Sequence, residues 1–126
     1  MVDGVRIGNR GLKNKGGQMK RVYVAGAYSA NDVMGVLENI RRGIEKCAEL
    51  ISEGIAPFCP WLDYQFSFFK KLTKEDYYNY SLAWLEVSDE VFVLSGWEKS
   101  VGTIKEIKRA IELNIPVVYE HLKPSL

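Results

Sequence analysis

Residues 90–120 read EVFVLSGWEKSVGTIKEIKRAIELNIPVVYE, and their pattern decides the fold. EVFVL, Glu90 to Leu94, is a short apolar run that stops at Ser95-Gly96, as a buried strand does. A helix follows from about Ser100 to Leu113, with Ile104, Ile107 and Ile111 on its apolar side and Asn114 to stop it. PVVYE, Pro116 to Glu120, is the next strand.

The same alternation extends back toward the amino terminus. RVYVAG, Arg21 to Gly26, reads as a buried strand ending at a glycine. Asn31 and Asp32 are caps for a helix whose apolar stripe runs through Val33, Val36, Leu37, Ile40, Ile44, Cys47, Ala48 and Ile51. Gly54 ends it. IAPFCP, Ile55 to Pro60, is a strand that Pro57 assigns to a sheet edge, because proline donates nothing to the ladder. Thr73 and Asp76 mark the start of another helix, on which Tyr77, Tyr80, Trp84 and Val87 share a face. The order β-α-β-α-β-α-β implies a parallel sheet covered by helices on both faces. The expected fold is α/β, a flavodoxin- or Rossmann-like three-layer sandwich with a four- to five-stranded parallel sheet in the order 2-1-3-4.

Bulk properties narrow the partners. The chain has 126 residues, 47% hydrophobic and 26% charged, with a formal net charge of +1. That balance supplies no field for nucleic acid or an acidic membrane surface, and no run is apolar for long enough to span a bilayer. Cys47 and Cys59 have neither metal spacing nor the number for a disulfide framework. A cytoplasmic protein without metal or organic cofactor is expected. The single histidine, His121, gives little basis for a histidine-centred triad. Residues 1–18 carry five of the eleven glycines and several basic side chains, so a flexible extension is expected before one α/β domain over 19–126.

In sheets of this order ligands bind beyond the carboxyl ends of the strands, where strand order reverses. Two loops meet there: GAYSAND, from Gly26, and SGWEKSVG, from Ser95. Gly26, Tyr28, Ser29, Gly96, Trp97, Glu98, Ser100 and Gly102 are therefore candidate site residues. Ser100 is placed to cap the last helix, leaving the Val101 and Gly102 amides to face an anion at its positive end. Glu106 lies one turn further in, away from the isoleucine face, with Gly102 and Ala110 on either side. On pattern alone Glu106 reads first as a solvated surface acid, Ser100 equally as a plain cap, and Tyr28 also as a packing residue. The segment PWLDYQFSFFKKL, Pro60 to Leu72, is unusually aromatic and suits either a pocket wall or a subunit contact. No Walker motif or full dinucleotide fingerprint is present.

VYVAGAYS, NIRRGIEKCAELISEGIAPFCP and SLAWLEVSDEVFVLSGWEKSVGTIKEIKRAIELNIPVVY together resemble the nucleoside 2-deoxyribosyltransferase superfamily, nucleoside 5'-monophosphate N-glycosidases and small relatives included. The resemblance covers nearly all of residues 20–119. It implies attack by Glu106 on the anomeric carbon of a nucleoside or nucleoside monophosphate, with a covalent sugar intermediate taken by water or another base. It implies that Ser100 helps to hold a phosphate, and that a tyrosine orients the glutamate; Tyr28 matches most nearly, with Tyr23 in the same strand. It implies a homodimer or higher homo-oligomer. One position departs from the superfamily: Ser81 stands where active members commonly carry the aspartate that protonates the leaving base, and a serine hydroxyl is far too weak an acid. Asp63 and Glu98 are the substitute candidates. The departure leaves open an enzyme with another acid, a non-catalytic nucleotide- or nucleotide-sugar-binding module, and an interaction domain of the same shape.

Overall fold

The computed structural model describes residues 11–121; of the flexible arm expected over 1–18, residues 1–10 lie outside the described residues. Four strands, β1 (Arg21–Ala25), β2 (Ala56–Phe58), β3 (Glu90–Val93) and β4 (Val117–Tyr119), alternate with helices α1 (Val33–Ser52), α2 (Lys74–Glu86) and α3 (Val101–Glu112). The strands form one parallel sheet in the order β2-β1-β3-β4. This is the expected α/β order, with four strands among the described residues, and Pro57 does lie on the edge strand.

The period of two along each strand divides the core. Val22, Val24 and Phe92 face one side, where Cys47 and Leu50 of α1 pack with Ile55 and Trp61. Tyr23, Ala25, Val91 and Val93 face the other, where Leu85 of α2 and Ile107 and Ala110 of α3 cover them. Each large aliphatic side chain buried this way contributes roughly 1.5–3 kcal/mol.

The ends of the helices follow their local chemistry. Asp32 accepts a bond from the Gly35 amide and caps α1. Thr73 and Asp76 form a reciprocal capping box at the start of α2. Gly54 leaves α1 at φ +89°, and Asn114 follows α3 at φ 59°, left-handed conformations that these two residues tolerate best.

The inward faces are rotated from the apolar stripes. On α1 the buried residues are Gly43, Cys47 and Leu50, while Val33, Leu37 and Ile51 are exposed. On α3 they are Thr103, Ile107 and Ala110, while Ile111 is exposed. The contact faces follow small residues rather than the bulkiest side chains: Gly43 meets the Trp61 indole, and Ala110 packs on the sheet.

Residues 11–20 form a turn rather than running free. Lys13 and Met19 make an antiparallel bridge, and the Lys20 amide donates to Leu12 O at 2.8 Å. Asp89 Oδ2 accepts the Arg21 amide at 2.8 Å. Lys20 Nζ lies 2.9 Å from Glu90 Oε1, an ion pair whose acid is fully buried.

Candidate active site

A cavity of about 980 Å³ opens at the carboxyl tips of β1 and β3. Its walls are the loops after those strands, one face of α1, the 3-10 helix Pro60–Phe68, α2 and the start of α3.

Ser100 sets the start of α3. Its Oγ accepts bonds from the Thr103 amide at 3.2 Å and the Thr103 hydroxyl at 2.8 Å. Both acceptor positions are thereby used, and the hydroxyl keeps only its own proton to offer a ligand. The first-turn amides at Val101 and Gly102 have no intrahelical carbonyl to serve. A Cβ added to Gly102 would meet nothing within 4 Å, so the helix backbone is open to the cavity here.

Glu106 comes one turn later. Thr103, Ile107 and Ala110 seat α3 on the sheet, and Glu106 sits at the margin of that seated face, half-buried and on the cavity wall. Tyr23 OH donates to Glu106 Oε2 at 2.6 Å. Burial pushes the Glu106 carboxyl up to about 7, and the Tyr23 bond works in the opposite direction by favouring the carboxylate. The Tyr23 phenol is itself driven well above its ordinary range, first by burial and then by the Glu106 charge. It remains a donor at any physiological pH.

The expected pairing of Tyr28 with Glu106 is corrected here. Tyr28 OH donates instead to Asp63 Oδ1 at 2.9 Å. Strand parity gives the reason: Tyr23 points to the α3 side of the sheet, whereas Tyr28, beyond the strand end, packs against the α1-side core.

Trp61 positions Asp63. Its ring is almost fully buried, and its Nε1 donates to Ala27 O at 3.0 Å. A Cβ at Gly43 would overlap the indole, and one at Gly26 would come within 3.0 Å of Cζ2. Gly26 thus makes room for Trp61. Two residues on, Asp63 lies on the cavity wall. Burial raises its carboxyl above the ordinary range, and the Tyr28 bond lowers it.

Ser81 is buried on α2 and lines the cavity beside the Tyr23 phenol. Ser29 and Gly96 also line it. Trp97 and Glu98 do not border the cavity: Trp97 packs on Tyr119 with ring centroids 5.4 Å apart, and Glu98 is exposed.

Two cavity residues on α1 escaped the sequence pattern. Asn39 Nδ2 donates to Tyr28 O at 3.1 Å and Ser29 O at 3.2 Å. Arg42 Nη2 reaches Ser95 O and Oγ, each at 3.2 Å. Both hold strand-tip loops. Their signal was a pair of polar side chains three residues apart, and so on one helix face, flanking an apolar stripe. No group of three or more metal-ligating side chains occurs among the described residues, and no helix among them is long and apolar enough to cross a membrane.

A family model described as a domain of unknown function matches residues 20–120. The chain belongs to that family, DUF7768. No curated protein matches at a significant level. The DUF7768 fold is similar to that of a 2-deoxyribosyltransferase from the psychrotolerant bacterium Bacillus psychrosaccharolyticus, with a TM-score of 0.55 and 15% sequence identity. The match covers 82% of this chain and 77% of that one. At that identity the likeness establishes a shared α/β fold.

Proposed function

We propose that this DUF7768 domain cleaves or exchanges the N-glycosidic bond of a nucleoside or nucleoside 5'-monophosphate, with Glu106 as nucleophile. The observation that carries the proposal is the half-buried Glu106 carboxyl, held by Tyr23 at 2.6 Å on the wall of the cavity that includes Ser100 and Gly102. A sugar phosphate placed with its anion at the amino end of α3 would bring its anomeric carbon toward Glu106. Attack there gives a glycosyl ester and frees the base, and water or a second base then takes the sugar. Arg42, Lys74, Lys99 and Lys105 line the cavity against Asp63, Glu75 and Glu106, a balance that favours the monophosphate over the uncharged nucleoside.

Incubation with a panel of deoxynucleosides and their monophosphates, followed by chromatography for free base, tests the proposal. Base release by the wild type that disappears in Glu106→Gln is expected. Ser81 favours a second reading, a nucleotide-binding module without turnover; calorimetric binding with no base released from any of the panel would select it. We further propose that the protein is a homo-oligomer, because Phe69 is 88% and Trp84 50% exposed. Sedimentation as a monomer at micromolar concentration would refute the assembly.

A further inference from the structure

We infer that Asp63, held by Tyr28, is the acid that protonates the departing base, replacing the function that Ser81 cannot perform. The inference rests on the Glu106 reading. A displacement at the anomeric carbon needs its nucleophile and its proton donor on opposite sides of the sugar. Two of the three acids that line this cavity have such origins. Glu106 arrives from α3 and is held by Tyr23, on one face of the sheet. Asp63 arrives from the 3-10 helix, which Trp61 anchors to the core on the other face, and is held by Tyr28 from that side. Both carboxyls border the one cavity at the strand tips.

The alternatives within the cavity are weaker. Ser81 is buried against the Tyr23 phenol and has a hydroxyl too weakly acidic to donate. Glu98 does not border the cavity. Glu75 does, but it is exposed on the first turn of α2. Asp63 is half-buried, and burial favours its protonated form. The ionisable groups that sense its charge are Tyr23, Tyr28, Tyr80 and Cys59, all neutral when protonated. Tyr28 occupies Oδ1 as a donor, which leaves Oδ2 to carry the proton.

The chemistry balances in two steps. A Glu106 carboxylate oxygen bonds to the anomeric carbon, the carbon–nitrogen bond breaks with its electron pair on the base, and the base takes the proton from Asp63. Water then attacks the same carbon and gives a proton to Asp63, and the electron pair of the ester bond returns to Glu106. The sum is a nucleotide and water converted to a free base and a sugar phosphate, with both acids restored.

The test compares two substrates. One is an ordinary purine deoxynucleotide. The other carries a methyl group on the imidazole-ring nitrogen of guanine, and so a fixed positive charge; its base leaves without a proton. Asp63→Asn is expected to lose about 100-fold or more in kcat/KM on the first and to stay within about threefold of wild type on the second, which also reports that the variant is folded. Tyr28→Phe tests positioning. Its bond lowers the Asp63 pKa, so removing it moves the high-pH limb of the ordinary substrate's profile upward. Equal losses on both substrates, or no loss on either, would overturn the Asp63 assignment. Undiminished turnover of the cationic substrate by Glu106→Gln, or no turnover of either substrate by wild type, would overturn the Glu106 reading beneath it.

Discussion

Tyr23 OH donates a 2.6 Å hydrogen bond to Glu106 Oε2, joining the middle residue of the first strand to the last helix. The bond opposes the burial that raises the carboxyl to about 7. Tyr23→Phe removes that opposition, so the Glu106 pKa rises further. A hydrogen bond to a charged group is worth about 1.5–3 kcal/mol, or roughly one to two pH units. The ascending limb of kcat/KM against pH is expected to move upward by that amount. An unmoved limb would show that Tyr23 does not tune the nucleophile.

Glu106 also links stability to pH. Its folded pKa lies above its ordinary value of 4.5, so its contribution is fully present below pH 4.5 and is lost as pH rises through about 7. The loss at high pH is on the order of 3 kcal/mol at most. Glu106→Gln is expected to match wild type in Tm near pH 4 and to exceed it by several degrees near pH 8. A gap that does not change with pH would argue against a desolvated carboxyl at this position.

Ser100 has two separable jobs. Aspartate caps a helix as well as serine does, but it places a negative charge where a phosphate is proposed to sit. Ser100→Asp is expected to keep Tm within a few degrees of wild type. Its KM should rise more than about tenfold for a nucleoside monophosphate and little for the matching nucleoside. Equal effects on both substrates would remove the phosphate role.

Gly43 is fixed by packing, because a Cβ there overlaps the Trp61 indole. Overpacking of this kind costs roughly 1–3 kcal/mol. Gly43→Ala is expected to unfold at lower denaturant with an unchanged m-value. It should also slow turnover, since Trp61 carries the segment that holds Asp63. A variant as stable as wild type would contradict the lock.

The strand and helix order, the capping box at Thr73 and the stops at Gly54 and Asn114 were legible because each is written locally. That Glu106 and Ser100 would border a cavity at the strand tips was legible from their place in the strand–turn–helix unit. Tyr23 was available from strand parity, which assigns it to the α3 side, though Tyr28 is nearer the loop where the site was sought. The inward faces of α1 and α3 were harder, because close approach at Gly43 and Ala110 outweighs the bulk of Ile51 and Ile111. The Trp61 lock was not legible at all: it joins a loop indole to a helix glycine and a strand-end carbonyl, contacts that no sequence period encodes.

The covalent step at Glu106 is the claim on which the functional proposal depends. The direct measurement is intact-protein and peptide mass spectrometry after rapid acid quench with a turned-over deoxynucleoside monophosphate. A deoxyribose phosphate adduct on the peptide containing Glu106, absent from Glu106→Gln, is expected. Base released at an undiminished rate by Glu106→Gln, with no adduct on the wild-type enzyme, would contradict it.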